Sequence, residues 1–227
     1  MVERAGTGEE QQAIIQLQQA ILACDAEAAK TAAAAVIAQG IDPAFALDRG
    51  IRASADLVSA KFDSGEYFLP HLVMAGDAMI AAAAVLEAAM PKDKIQAKKV
   101  VVIGTVEGDM HSVGKNIVAM MLSSGGFEVH DLGVDVKADT IIAKAKEVKA
   151  DIIALSSLLT TTMPYQREVL EVLEGVGIRQ RFKVMVGGGP VTKEWADKIG
   201  ADGYGRDAAE ALAVARALVQ EDATIHA

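Results

Sequence analysis

Apolar positions recur at helical spacing through roughly the first ninety residues, and no stretch there alternates at the two-residue period of a strand. Residues 9–23 place Ile14, Leu17, Ile21 and Leu22 near one helix face, and residues 26–39 form a second helix that Gly40 ends. Asp42-Pro43 starts a third, an Asx cap followed by proline at the first helical position. It runs to about Phe62, where Asp63-Ser64-Gly65 turns the chain. A fourth helix spans residues 68–90 and stops at Pro91. Four helices joined by short turns predict an antiparallel bundle.

The period then changes. From residue 98 onward, short apolar runs alternate with amphipathic helical segments. Strands are expected at 100–105, 128–131, 151–156, 183–186 and 202–204, and helices at 115–124, 138–149, 165–176, 192–199 and 208–219. Five strands with helical crossovers predict an α/β fold, a doubly wound parallel five-stranded sheet. The expected organisation is a helical domain over residues 1–91, a linker over 92–99 and an α/β domain over 100–227. Lys92, Lys94, Lys98 and Lys99 make that linker polar.

Composition narrows the picture. With 52% hydrophobic residues and only 4% aromatic, the core must be built mainly of Ala, Val, Ile and Leu. A net charge of −9 argues against a nucleic-acid or anionic-membrane partner. The single cysteine, Cys24, excludes an internal disulfide and suits a reducing compartment; it reads as a small apolar residue in a helix. The N-terminus is polar and acidic, unlike a secretion signal, and the alanine-rich run 79–90 is too short to span a bilayer. A cytoplasmic protein is expected.

The candidate chemistry lies directly after the first strand, in Gly108-Asp109-Met110-His111-Ser112-Val113-Gly114. A strand there delivers a carboxylate and an imidazole to the sheet's carboxyl edge, where open α/β sheets bind ligands. One ring nitrogen of such a histidine can coordinate a metal while the other donates to the carboxylate, which orients the ring and raises its basicity. Alone, D-x-H-x-x-G is a weak signal, and a capped turn with Asp109 accepting from helix amides is the plain alternative. Two further strand ends change the balance. The third ends in Ser156-Ser157-Leu158 before Leu159-Thr160-Thr161-Thr162, and the fourth runs into Gly187-Gly188-Gly189-Pro190.

The order D-x-H-x-x-G, S-x-L after 41 intervening residues and G-G after 28 more resembles the signature of the cobalamin-binding domain. With the helical segment before it, nearly the whole chain resembles the small corrinoid proteins of methyl-transfer systems that demethylate methylamines, methanol, betaines or methoxylated aromatics. The resemblance extends to the cobalamin-binding module of methionine synthase. It implies cobalamin or a related corrinoid, carried as methylcob(III)alamin, with His111 replacing the cofactor's own base as lower cobalt ligand and Asp109 as its hydrogen-bond partner. Thr162 would complete an Asp–His–hydroxyl relay. Ser156 and Thr160 would contact the cofactor's nucleotide tail or corrin ring, with Gly108, Met110, Ser112, Gly114 and Leu158 also in contact. Gly187, Gly188 and Gly189 would line the tail's path, where added side chains would block entry.

The resemblance further implies a carrier that cycles between Co(I) and methyl-Co(III). Its partners would be a substrate-specific methyltransferase, a second methyltransferase serving a folate or thiol acceptor, and a reductive activator. No catalytic residue of its own is implied. The segment 67–74 resembles the start of a helical cap that shields the upper face of the corrin. Two alternatives share the loop: a cobalamin-dependent sensor, which usually adds a DNA-binding region, and the small subunit of an adenosylcobalamin mutase, which generally lacks the helical cap. A nucleotide-binding enzyme fits poorly, because no Walker lysine follows the glycines and no G-x-G-x-x-G follows the first strand. His71, His130 and His226 read as structural or exposed, and Met110, Met120 and Met121 as core gap-fillers.

Overall fold

The computed structural model describes residues 8–90 and 98–225. The chain divides into two compact units between Ala97 and Lys98. The expected linker, residues 92–99, lies outside the described residues except for Lys98 and Lys99.

The first unit is helical: α1 (Gly8–Leu22), α2 (Ala26–Ala38), α3 (Pro43–Ala46), α4 (Ala53–Asp63) and α5 (Leu69–Ala88). Leu17 and Ile21 of α1, Ala29, Ala33 and Val36 of α2, and Leu72, Met79 and Leu86 of α5 are fully or almost fully buried. Small residues let α2 and α5 pack closely. Asp25 caps α2 by accepting from Ala28 N, and Asp42 caps α3 by accepting from Ala44 N ahead of Pro43.

Three expectations need correction here. The third helix is not continuous: Leu47–Arg52 is a π-helical turn between α3 and α4. The cause is tertiary. A Cβ at Gly50 would lie 2.7 Å from Leu17 Cδ2, so α1 presses against this turn. The widened turn also offers the Arg49 carbonyl to Gln18 Nε2, 2.7 Å away. Cys24 sits not in a helix but in the turn after α1, with φ +58. Finally, α5 is 20 residues long, with mean hydropathy 1.7 over its most apolar window, so it meets the length and polarity of a membrane span although the 79–90 run alone does not. Its Leu72, Ala75, Met79, Ala82 and Leu86 stripe is buried within the bundle, as in a core helix.

The second unit alternates β1 (Val100–Thr105), α6 (Val113–Ser124), β2 (Glu128–Asp131), α7 (Ala138–Glu147), β3 (Ile152–Ser156), α8 (Met163–Gly175), β4 (Lys183–Gly187), α9 (Lys193–Ile199), β5 (Gly203–Gly205) and α10 (Ala208–Ile225). All pairings are parallel, in the order β2-β1-β3-β4-β5. Helices cover both faces, which explains why the central strands read as continuous apolar runs rather than alternating ones. Val102, Ile153, Leu155, Val184 and Val186 form one core with Ile141, Leu170, Leu173 and Ile199 of the helices.

This doubly wound order reverses direction between β1 and β3, and ligands bind at the carboxyl edge of such a switch point. The loops leaving those two strands are 106–112 and 157–162. Register aligns Thr105, Ser156, Gly187 and Gly205 in one row along that edge.

Candidate functional site

Loop 106–112 is held at both ends. Val106 N donates to Ser156 O at 3.0 Å, and the buried Thr105 hydroxyl donates to His111 O at 2.9 Å. Between them Asp109 turns inward and is fully buried, while the His111 ring is 51% exposed. Asp109 Oδ1 accepts from His111 N at 3.0 Å and faces His111 Nδ1 at 2.7 Å. The other oxygen reaches across the switch point: Oδ2 accepts from Leu158 N at 2.7 Å, Leu159 N at 3.3 Å and Thr162 Oγ1 at 2.9 Å. The carboxylate therefore joins the two loops, and it accepts from no helix amide as a plain capped turn would require.

Burial alone would push the Asp109 carboxyl upward. Hydrogen bonds from His111 N, Leu158 N, the His111 ring and Thr162 outweigh it and hold the group down at about 2, so it is ionised at neutral pH. An ionised Asp109 fixes the proton of a neutral His111 on Nδ1. Nε2 keeps its lone pair, and no hydrogen-bond partner engages it among the described residues. A basic nitrogen on an oriented ring is thus presented at the sheet edge.

Behind the pair the chain of polar groups continues. Thr162 Oγ1 lies 2.8 Å from Ser157 Oγ, and Ser157 Oγ lies 3.1 Å from Leu159 O; both side chains are buried. Ser157, which carries this contact, was missed in the sequence; Ser156, expected at the tail or corrin ring, is a separate position. Strand parity separates the two: Ser156 is the last residue of β3 and half-buried, whereas Ser157 begins the loop and turns to the opposite side. The hydroxyl run 156–162 signalled the chemistry but not its parity. Thr105 was also missed, although a hydroxyl ending a strand before the motif was a visible clue.

Other side chains, some expected at the site and some not, surround the pair. Met110, Val113, Leu158 and Leu159 are all exposed apolar side chains beside the pair, in chain or through its hydrogen bonds. Met110, at 68% exposure, is not the core gap-filler expected; Met121 is buried and Met120 half-buried. Ser112 precedes α6 without capping it through its side chain, and the Thr160 side chain is exposed. Lys115, the next buried cation, is tied to Asp131 at the end of β2, with Nζ 2.6 Å from Oδ1, and to Asn116 Oδ1 at 2.7 Å.

The glycines divide by cause. A Cβ at Gly187 would lie 2.8 Å from Gly205 O, and one at Gly188, where φ is +121, would lie 1.9 Å from Ser157 O. These two are required by strand approach and backbone conformation, a constraint beyond the expected lining of the tail's path. A Cβ at Gly189 meets only the mobile end of Leu158, 2.8 Å away. Gly108 has φ +77. Gly114 has an ordinary conformation and nothing within 4 Å of its missing Cβ, so the fold leaves that space open.

The competing histidines are accounted for. His71 Nδ1 accepts from Phe68 N at 3.1 Å and its ring stacks on Tyr67 at 5.0 Å. His130 Nε2 pairs with Glu128 at 2.9 Å. His226 lies outside the described residues. Among the described residues no group of three or more His, Cys, Asp or Glu side chains could hold a metal by itself. A metal bound through His111 must therefore bring its other ligands with it. A corrin ring does so, and it is broad and largely apolar. The lone basic nitrogen, the four exposed apolar side chains around it and the open space at Gly114 fit such a group.

Comparison with known proteins agrees. The B12 binding domain model matches residues 99–213, and a second B12 binding domain model matches residues 14–87. Dimethylamine corrinoid protein 1 of Methanosarcina mazei is 49% identical over 206 residues, covering 90% of this chain and 94% of that protein. Trimethylamine corrinoid protein 1 of the same organism is 47% identical over 90% of this chain and 95% of its own. Among solved structures, a cobalamin-binding protein from Desulfitobacterium hafniense DCB-2 superposes with a TM-score of 0.78 at 34% identity, covering 90% of this chain and 98% of that one. The methanol:cobalamin methyltransferase complex of Methanosarcina barkeri gives 0.77 at 31% identity, with coverage of 96% and 86%. A lone imidazole buttressed by a buried carboxylate, in a fold matched along nearly its whole length by these proteins, places the chain in the family of B12-binding corrinoid proteins.

Proposed function

We propose that this chain carries a methyl group between two methyltransferases, one that takes it from a methylated amine and one that delivers it to a folate or thiol acceptor. The observation that carries the reading is the Asp109–His111 pair at the β1/β3 switch point. When bound, the corrinoid supplies a cobalt centre that can accept and release a methyl group. The chain's residues do the rest. His111 Nε2 would hold the cobalt, Asp109 orients the ring through Nδ1, and Thr162 with Ser157 holds the carboxylate in place. Met110, Val113, Leu158 and Leu159 form an apolar seat for the corrin face. Ser156, Thr160, Gly108, Ser112 and Gly114 border the space for the tail, with Gly187, Gly188 and Gly189 at the end of β4.

Dimethylamine and trimethylamine relatives at nearly half identity support an amine donor. The solved methanol:cobalamin methyltransferase complex supports docking on a donor-specific methyltransferase. A reductive activator and a cytoplasmic setting complete the reading, because a low-valent cobalt needs a reducing compartment. The helical unit, with its own B12 binding domain match, is proposed as the cap that shields the methyl group. Loading the full-length protein with hydroxocobalamin under anaerobic conditions should give about one corrinoid per chain, with a base-off, histidine-on spectrum. His111→Ala should lose the histidine-ligated bands while retaining some corrinoid. An unchanged spectrum in that variant removes His111 as the ligand.

A further inference from the structure

One aspartate outside the motif clasps the loop on which the motif hangs. Asp135 lies in the connection between β2 and α7 and has φ +54, a left-handed conformation that Asp and Asn tolerate better than most side chains. In it a single residue reaches the ligand loop twice. Its backbone N–H donates to Asp109 O at 3.0 Å, and its Oδ1 accepts from Gly108 N at 2.7 Å. Residues 108 and 109 are thereby gripped from both ends. The neighbouring Val136 N donates to Thr105 O at 3.0 Å, and Val106 bridges Val136, so the whole connection runs alongside the start of the loop.

Asp135 is exposed and contributes no apolar burial. Its two hydrogen bonds both end on the residue that orients His111 or on that residue's neighbour. Asp109 has little freedom: one oxygen must meet the His111 ring while the other meets Leu158, Leu159 and Thr162 across the switch point. A shift of about 0.5 Å in its backbone would lengthen one set or the other beyond good hydrogen-bond geometry. We propose that Asp135 is a positioning residue for the lower-ligand pair, fixing the Asp109 backbone so that the carboxylate serves both loops at once. The inference deepens the proposed function and rests on His111 as the ligand.

Three full-length variants test it. Asp135→Gly keeps the left-handed backbone without strain and removes the side-chain acceptor; Asp135→Asn keeps both the conformation and an acceptor oxygen; Asp135→Ala loses the acceptor and strains the backbone. In the cofactor-free protein, the Gly108 amide should exchange with solvent about tenfold faster in Asp135→Gly and near the wild-type rate in Asp135→Asn. After loading, Asp135→Gly should bind corrinoid with a smaller histidine-ligated fraction, and Asp135→Asn should restore it. Asp135→Ala should be at least as impaired as the glycine variant. Wild-type Gly108 exchange and a wild-type histidine-ligated fraction in Asp135→Gly would overturn the proposal. So would loss of ligation in Asp135→Asn alone, since that would implicate charge rather than the clasp. Should His111→Ala keep the wild-type spectrum, the ligand assignment falls separately, and the Gly108 exchange rates still decide whether the clasp exists.

Discussion

Gly188 and Gly114 look alike in the sequence and do opposite work. Gly188 sits at φ +121 with Ser157 O 1.9 Å from where a Cβ would be, so any side chain drives into the main chain that carries the Thr162–Ser157 contact. Gly114 lies in the first turn of α6 with ordinary backbone and open space beside it. Gly188→Ala should therefore destabilise the α/β unit by roughly 3 kcal/mol or more, through strain and a backbone clash, whether or not cofactor is present. Gly114→Leu should fold with stability within about 1 kcal/mol of wild type, since leaving glycine in a helix is favourable. It should nevertheless lose corrinoid loading, because the space the fold leaves open is filled. Thermal melts and corrinoid-to-protein ratios measure the two effects. Normal loading of Gly114→Leu would show that this space is not used by the cofactor. At this scale Asp109 and His111 were legible because their spacing is a local property of a loop. Ser157 and Asp135 were not, since strand parity and a left-handed φ are fixed by how segments meet.

Among the elements, α8 ties the ends of β3 and β4 together. Its Gln166 is fully buried: Nε2 donates to Leu155 O at 3.0 Å and Gly187 O at 3.1 Å, and Oε1 accepts from Trp195 Nε1 of α9 at 3.0 Å. One amide thus meets the ends of β3 and β4 and an indole N–H, and its loss would leave these groups short of a partner. Gln166→Leu keeps the volume and removes these partners. It should cost about 1–3 kcal/mol, read by denaturant unfolding followed through Trp195, the chain's single tryptophan. A shift below about 0.5 kcal/mol would mean that the freed groups find other partners. The parallel strands were readable because double burial makes them short, unbroken apolar runs, and the doubly wound order follows from helical crossovers between them. The π-helical turn Leu47–Arg52 was not readable. Its sequence is an ordinary helical one, and the cause lies in Leu17 pressing on Gly50 from another helix.

The whole molecule combines an α/β unit that carries the Asp109–His111 loop with a helical unit that exposes apolar side chains. Phe68, Leu69 and Met74, at and just after the start of α5, are 64%, 43% and 51% exposed. Adjacent large apolar residues in water are unfavourable unless they serve a contact, and a chain with a net charge of −9 has ample charge with which to cover its surface otherwise. Bundle packing does not require them, because the buried stripe of α5 runs through Leu72, Met79 and Leu86 instead. The proposed shielding of a light-sensitive methyl–metal bond from water and radical escape would give these side chains a purpose. Phe68→Ala with Leu69→Ala in the full-length protein should leave loading and the histidine-ligated spectrum as in wild type, because neither residue belongs to the His111 loop. The methyl–cobalt bond should then photolyse faster, as caged radicals separate more readily than they recombine. Exposed apolar residues kept for a partner methyltransferase predict the reverse pattern: unchanged photolysis and slower methyl transfer. Equal photolysis rates in the loaded variant and wild type, with both folded, would remove the shielding role from this part of α5.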